Sequence, residues 1–184
     1  MTLFALPVSP PRAWIGCLHC YNSGHLIGEW FDAAPADQVT LADVHGAHSR
    51  ADYAECEELW VFDHENIPVR GELDPLAAAD WGQVYTEVGP GYWPALCAWV
   101  ESGDYVAEGT GDLPSTSDFE GRYQGHWESF REYARQLADD IGLLAGVPEE
   151  IANYFDWYSW TRDLAFDYST YDDPEGGVFV FRVL

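Results

Sequence analysis

Cys17-Leu18-His19-Cys20 is the first stretch whose residue types could do chemistry, and His25 follows five residues later. Two thiols three apart, with imidazoles nearby, are how half of a zinc site begins, because the ion takes four N, S or O ligands. The other half is missing at the usual spacing: no second cysteine pair follows, and Cys56 and Cys97 are irregularly placed. The run AWIGCLHCY (13–21) reads as a strand, on which residues three apart face opposite sides. The four cysteines are therefore expected to be partly buried free thiols, holding no metal. In a cytoplasmic chain no disulfide is expected either.

Phe62-Asp63-His64-Glu65-Asn66 is the second candidate. It lacks the H-x-x-x-H or H-E-x-x-H spacing that sets two imidazoles on one helical face. It also lacks the order of the zinc deaminases, in which H-x-E precedes P-C-x-x-C. It reads as a polar strand end. Among 32 carboxylates some pairs fall at glycosidase-like separations by chance, and nothing favours any one of them. There is no phosphate-binding loop and no G-x-S-x-G, so the chain is not expected to be an enzyme, and no cofactor is expected.

What remains is charge. The 184 residues carry 32 acids against eight bases, all arginine, for a net charge of −24. Such a field repels nucleic acid and anionic membranes and attracts a strongly basic partner over a range limited by salt. With 47% apolar residues and nine tryptophans, the chain folds around real cores and is not an acidic tail. The tryptophans also argue against salt adaptation, whose acidic surfaces come with fewer large apolar side chains. No apolar run reaches the length of a membrane span, and the N-terminus lacks a basic leader region, so a soluble cytoplasmic protein is expected. Residues 52–120 hold sixteen acids against Arg70 alone, spaced every few residues among apolar positions. That is the pattern of the outer face of folded elements.

The elements that would carry these acids can be read in turn. AWIGCLHCY and HLIGEWF (25–31) read as a hairpin across Asn22-Ser23-Gly24, with a short helix within 36–44 and a third strand at LWVFDH (59–64). Residues 72–104 read as helical. Asp74-Pro75 supplies a cap and a first-turn proline, Val88-Gly89-Pro90-Gly91 is a stop, and a second helix begins at Pro94. FEGRYQG (119–125) reads as a strand and His126–Ala145 as one long amphipathic helix ended by Gly146. Pro148 starts a short helix, Asp156 caps another through Leu164, and DYSTYDD with GGVFVFRVL closes a hairpin. The expected class is α+β, in three small lobes: 1–70, mixed; 71–117, mostly helical; 118–184, mixed.

B-form DNA carries one negative charge per roughly 1.7 Å of axis, so 24 net charges at that density would cover about 40 Å. A DNA-binding protein draws much of its affinity from phosphates. A preorganised surface with carboxylates at phosphate-like spacing could occupy its channel without any base sequence. Acidity alone equally fits a chaperone or other binder of a basic, DNA-binding host protein.

Three stretches add to this, in order: YNSGHLIGEWFD (21–32), ELWVFDHENIP (58–68), and VPEEIANYFDWYSWTRDL (147–164) with the closing GGVFVFR. In these the chain resembles the ArdA family of antirestriction proteins, carried on plasmids, conjugative transposons and phages. The first is similar to the family's Y-N-x-G-x-L-x-G-x-W pattern, and the last resembles its C-terminal antirestriction signature. Residues 105–118 do not align. The resemblance implies an elongated, acidic homodimer of three-lobed subunits, each an elongated chain of small lobes, that imitates bent B-form DNA. It would bind the DNA-recognition and methyltransferase core of type I restriction–modification enzymes and so protect incoming mobile DNA.

On that reading the phosphate imitation falls to Asp52, Glu55, Glu57, Glu58, Asp63, Glu65, Glu72, Asp80, Glu87, Glu101, Asp104, Glu108, Asp112, Asp118 and Glu120 in the central window. Asp139, Asp140, Glu149, Glu150, Asp163, Asp172 and Asp173 would continue it. Asp74 and Asp156 read as helix caps. In the aromatic run, Ile151, Tyr154, Phe155, Trp160 and Leu164 can face inward. Trp157 and Tyr158 are the surplus rings expected at a dimer contact.

Overall fold

The first strand is short because its sequence changes character at Cys17. In the computed structural model, which describes residues 9–108 and 111–183, β1 (Arg12–Cys17) alternates into a buried run and ends where α1 (Leu18–Asn22) begins. The expected strand over 13–21 is thus half strand and half helical turn. β2 (Gly28–Asp32) and β3 (Leu59–Glu65) pair antiparallel on either side of β1, giving the order β2-β1-β3. β1 and β2 do form a hairpin pair, but ten residues separate them, not a tight turn. Between β2 and β3 lie α2 (Leu41–His45), capped reciprocally by Thr40 and Asp43, and two 3-10 turns at Ala36–Gln38 and Arg50–Tyr53.

The chain packs as two units, residues 1–97 with 106–116, and residues 98–105 with 117–184. The first unit holds the β2-β1-β3 sheet and α3 (Pro75–Val88). Asp74 caps α3 through Ala77 N–H at 2.7 Å, Pro75 opens it, and Gly89 closes it with φ +84°, all as the sequence predicts. The helix buries Ala78, Ala79, Trp81, Gly82 and Val84 on one side. Gly82 permits the approach to the 33–36 turn, since a Cβ there would lie 2.2 Å from the Ala34 nitrogen. The division between units falls within α4 (Trp93–Ser102), after Cys97.

The second unit is built on aromatic rings. Trp99 stacks on Phe181 with centroids 5.8 Å apart and planes at 7°, and Phe119 and Tyr123 close around the same pair. Its sheet has the order β4-β6-β5, from β4 (Tyr123–Trp127), β5 (Tyr168–Asp172) and β6 (Val178–Arg182). As the central strand, β6 buries Phe179, Val180 and Phe181 together. The closing glycines serve this hairpin: Gly177 has φ +91°, and a Cβ on it would meet the Trp127 carbonyl at 2.5 Å.

Two expectations are corrected here. FEGRYQG is not one strand: α5 (Thr116–Arg122) runs through its first half and β4 through the rest. The long helix over 126–145 is only α6 (Phe130–Asp140). Ser129 caps it, and Gly142, at φ +65°, follows its end, leaving Ile141 exposed. Trp127 still reaches Tyr133, from a strand and not from the same helix. α7 (Glu149–Ala152) and α8 (Trp157–Leu164) fall where Pro148 and Asp156 predict them. The architecture is α+β, and no helix among the described residues is long and apolar enough to cross a membrane.

Candidate functional site: an acidic surface on both units

Each unit carries sixteen acids, against three arginines in the first and five in the second. The elements place these carboxylates outward for a simple reason. On α3 the apolar side is taken up by packing, which leaves Asp80, Gln83, Thr86 and Glu87 in solvent. Asp63 and Glu65 close β3, Glu101 ends α4, Asp118 and Glu120 lie on α5, and Asp139 and Asp140 finish α6. Glu149 and Glu150 open α7, favourable against its positive dipole end, while Asp163 lies on α8 and Asp172 ends β5. Asp52, Glu55, Glu57, Glu58, Glu72, Asp104, Glu108, Asp112 and Asp173 sit in turns and connections. Of all these predicted acids, Asp118 and Asp173 are half-buried and the rest are exposed.

Few find a cation within the chain. Among the described residues, arginines pair with Asp32 at 3.8 Å, Asp118 at 2.8 Å and Asp163 at 2.7 Å, and His126 approaches Asp173 at 3.2 Å. Asp118 is thereby tied to Arg122, whose guanidinium lies 5.8 Å from the Trp99 ring, so this acid belongs to the packing of the second unit. Tyr171 donates its hydroxyl to Asp104, and Thr116 donates to Glu87 at 3.0 Å. Asp52 takes the Ser49 hydroxyl and N–H at 2.8 and 2.9 Å, which hold its carboxyl below the usual range. Glu55, Glu57, Glu58, Glu72, Asp80 and Glu120 have no ion-pair partner among the described residues. Asp156 is a cap, as expected: the Ser159 N–H and hydroxyl bind it at 3.0 and 2.7 Å and lower its pKa.

The aromatic run divides differently from the sequence reading. Trp157 is half-buried against Phe155, with centroids 4.8 Å apart, and Arg135 lies 5.6 Å from its ring. Tyr158 is 74% exposed. Ile151 and Tyr154, expected inside, are exposed, Tyr154 at 89%. Ile151 lies in α7, which has one turn and no buried residue, and Tyr154 lies in the turn that follows it.

The two motifs that first suggested chemistry also resolve. Phe62–Asn66 is a strand end: Asp63 accepts the His64 N–H at 2.8 Å, and Asn66, at φ +58°, turns the chain while its carbonyl accepts the Trp93 indole N–H at 3.0 Å. The cysteine motif straddles the β1–α1 junction, so Cys17 and Cys20 do not face opposite sides. They lie with Cys56 and His45, four ligand-type atoms all within 4.8 Å of one another. His45 and Cys56 escaped the sequence reading because nothing in their spacing ties them to residues 17–20. A His-x₁₀-Cys separation, unlike a second C-x-x-C, carries no signal.

The chain is thus an α+β protein with many outward carboxylates and few internal counter-charges among the described residues. The family model described as antirestriction protein (ArdA) matches residues 13–178, and the chain belongs to the ArdA antirestriction family. Among curated proteins, none matches the chain.

Proposed function

We propose that this protein blocks type I restriction–modification enzymes by presenting carboxylates in place of DNA phosphates, so occupying their DNA-binding site and protecting incoming mobile DNA. Family membership makes restriction enzymes the target class. The observation that carries the finer reading is that all but two of the predicted acids on the two units are exposed, most without a cation of their own among the described residues. A basic DNA channel would supply the missing counter-charge. The action is occupancy, with no catalytic step. The active form is a homodimer, for which the exposed rings of Tyr154, Tyr158 and Phe166 offer apolar contact area beside Trp157.

The test adds purified protein to a type I restriction enzyme with unmodified DNA and measures cleavage and DNA binding together. Inhibition should exclude DNA competitively and weaken steeply as salt rises. An acidic binder of some other basic host protein would leave cleavage untouched. Joint replacement of Glu55, Glu57 and Glu58 by glutamine should weaken inhibition, whereas each single change should be worth under about 1 kcal/mol. A single acid whose loss abolished inhibition in a folded protein would sink distributed mimicry. Trp157→Glu and Tyr158→Glu should shift the light-scattering mass toward the monomer, and variants that stay dimeric would remove this contact.

A further inference from the structure

We propose that Cys17, Cys20, His45 and Cys56 are the ligands of a structural zinc ion in the first unit. The three sulfurs and an imidazole nitrogen lie within 4.8 Å of one another, brought together from the end of β1, from α1, from α2 and from the connection before β3. Sulfurs held about 2.3 Å from a tetrahedral zinc are about 3.8 Å apart. Cys20 and Cys56 stand at 3.7 Å, far beyond the roughly 2.05 Å of a disulfide. Cys₃His is one of the closed four-ligand sets of structural zinc sites. Three soft sulfurs and one imidazole, with no carboxylate among them, suit zinc and not magnesium or calcium.

His45 supplies an independent observation. It is 4% exposed, and its Nε2 is buried with no hydrogen-bond partner. A buried imidazole nitrogen without a partner is an anomaly that a metal ion removes. The ring is held for the purpose: it stacks on Tyr53 with centroids 4.2 Å apart and planes at 9°. Burial, followed by the charges of His48 and Arg50, keeps it toward the neutral form that a ligand requires.

The thiols have the matching surroundings. Cys17 and Cys56 are buried and Cys20 is half-buried. Cys17 stands at the N-cap of α1, where its side chain makes no capping hydrogen bond. A surface cleft lined by His19, Cys20, Asp52, Glu55 and Cys56 gives the ion an entry path past two carboxylates. With four protein ligands the ion keeps no open position, so its role is to pin the 46–58 connection onto the sheet.

The experiment uses the full chain purified from zinc-containing medium without chelator. Elemental analysis should find one zinc per chain, with Cys97 the only thiol that reacts readily with Ellman's reagent until a strong chelator is added. The cobalt-substituted protein should show sulfur-to-cobalt charge transfer and the intense visible bands of a tetrahedral site. Cys56→Ser and His45→Ala should lose stoichiometric zinc, while Cys97→Ser keeps it. A folded wild-type chain that binds neither zinc nor cobalt stoichiometrically would overturn the site, as would a native Cys20–Cys56 disulfide seen by mass spectrometry. The wild-type cobalt titration decides the matter even if the ligand variants do not fold.

Discussion

The two units carry the same number of acids over quite different interiors. In the first, small and aliphatic side chains such as Ala13, Ile15, Ala78, Ala79 and Leu96 share the interior with the buried rings of Trp81 and Trp93, which meet edge to face. In the second, Trp99, Phe119, Tyr123 and Phe181 form a cluster of rings. Like charge at the surface opposes a compact state in both. The acid load therefore does not follow from either mode of packing, and each interior must offset the repulsion of its own net charge.

The largest effect should come from breaking the aromatic unit. Phe181 is 1% exposed and touches the rings of Trp99, Phe119, Tyr123 and Tyr171. Phe181→Ala should cost about 3–5 kcal/mol in denaturant unfolding. Hydrogen exchange should localise the loss to the second unit, and equal loss of protection across the β2-β1-β3 sheet would erase the distinction between the units. A smaller effect is expected in the first unit from Gly82→Ala. Helix propensity alone predicts a gain of about 1 kcal/mol, yet the new methyl would meet the Ala33–Ala34 backbone at 2.2 to 2.6 Å. A net loss of roughly 1–3 kcal/mol is expected, and a raised melting temperature would show that the close approach is not what the glycine serves.

The smallest effects concern the capping acids. Hydrogen bonds from Thr40, Ser49 and Ser159 hold Asp43, Asp52 and Asp156 below the ordinary carboxylate range. A lowered folded-state pKa stabilises above the unfolded value, near 3.9 for aspartate, and that contribution is lost as pH falls through the folded value. Asp52→Asn should therefore flatten the acid limb of the first unit's stability, and Asp156→Asn that of the second. Residue-resolved NMR titration between neutral pH and the acid transition reads this directly. Titration of these three at ordinary values would remove the caps as a source of acid sensitivity.

Local punctuation was legible in the chain because its physics is local. Asp74-Pro75, Gly89 and Asp156 mark helix ends through hydrogen bonds and backbone angles that involve a few neighbouring residues. The closing hairpin was legible too, from two strand-like runs joined across Gly176-Gly177. The long helix over 126–145 failed because the spacing of Trp127 and Tyr133 satisfies a helix and a strand–turn–helix alike. Only the pairing of β4 with β6 chooses between them. The inward reading of Ile151 and Tyr154 failed because a one-turn helix and the turn that follows it have too little surface to enforce a side.

By itself, then, the sequence determined the sign and density of the surface charge, the absence of enough arginine to neutralise it, and the family signatures that point to antirestriction. Those are properties of composition and short order, and no folding event can alter them. Only the tertiary structure decided which acids stay without a counter-ion, which rings remain in solvent, and that His45 and Cys56 join the Cys17–Cys20 pair. These depend on contacts between residues up to several tens of positions apart. Their geometry is set by sheet register and helix packing, and sequence spacing carries no trace of it.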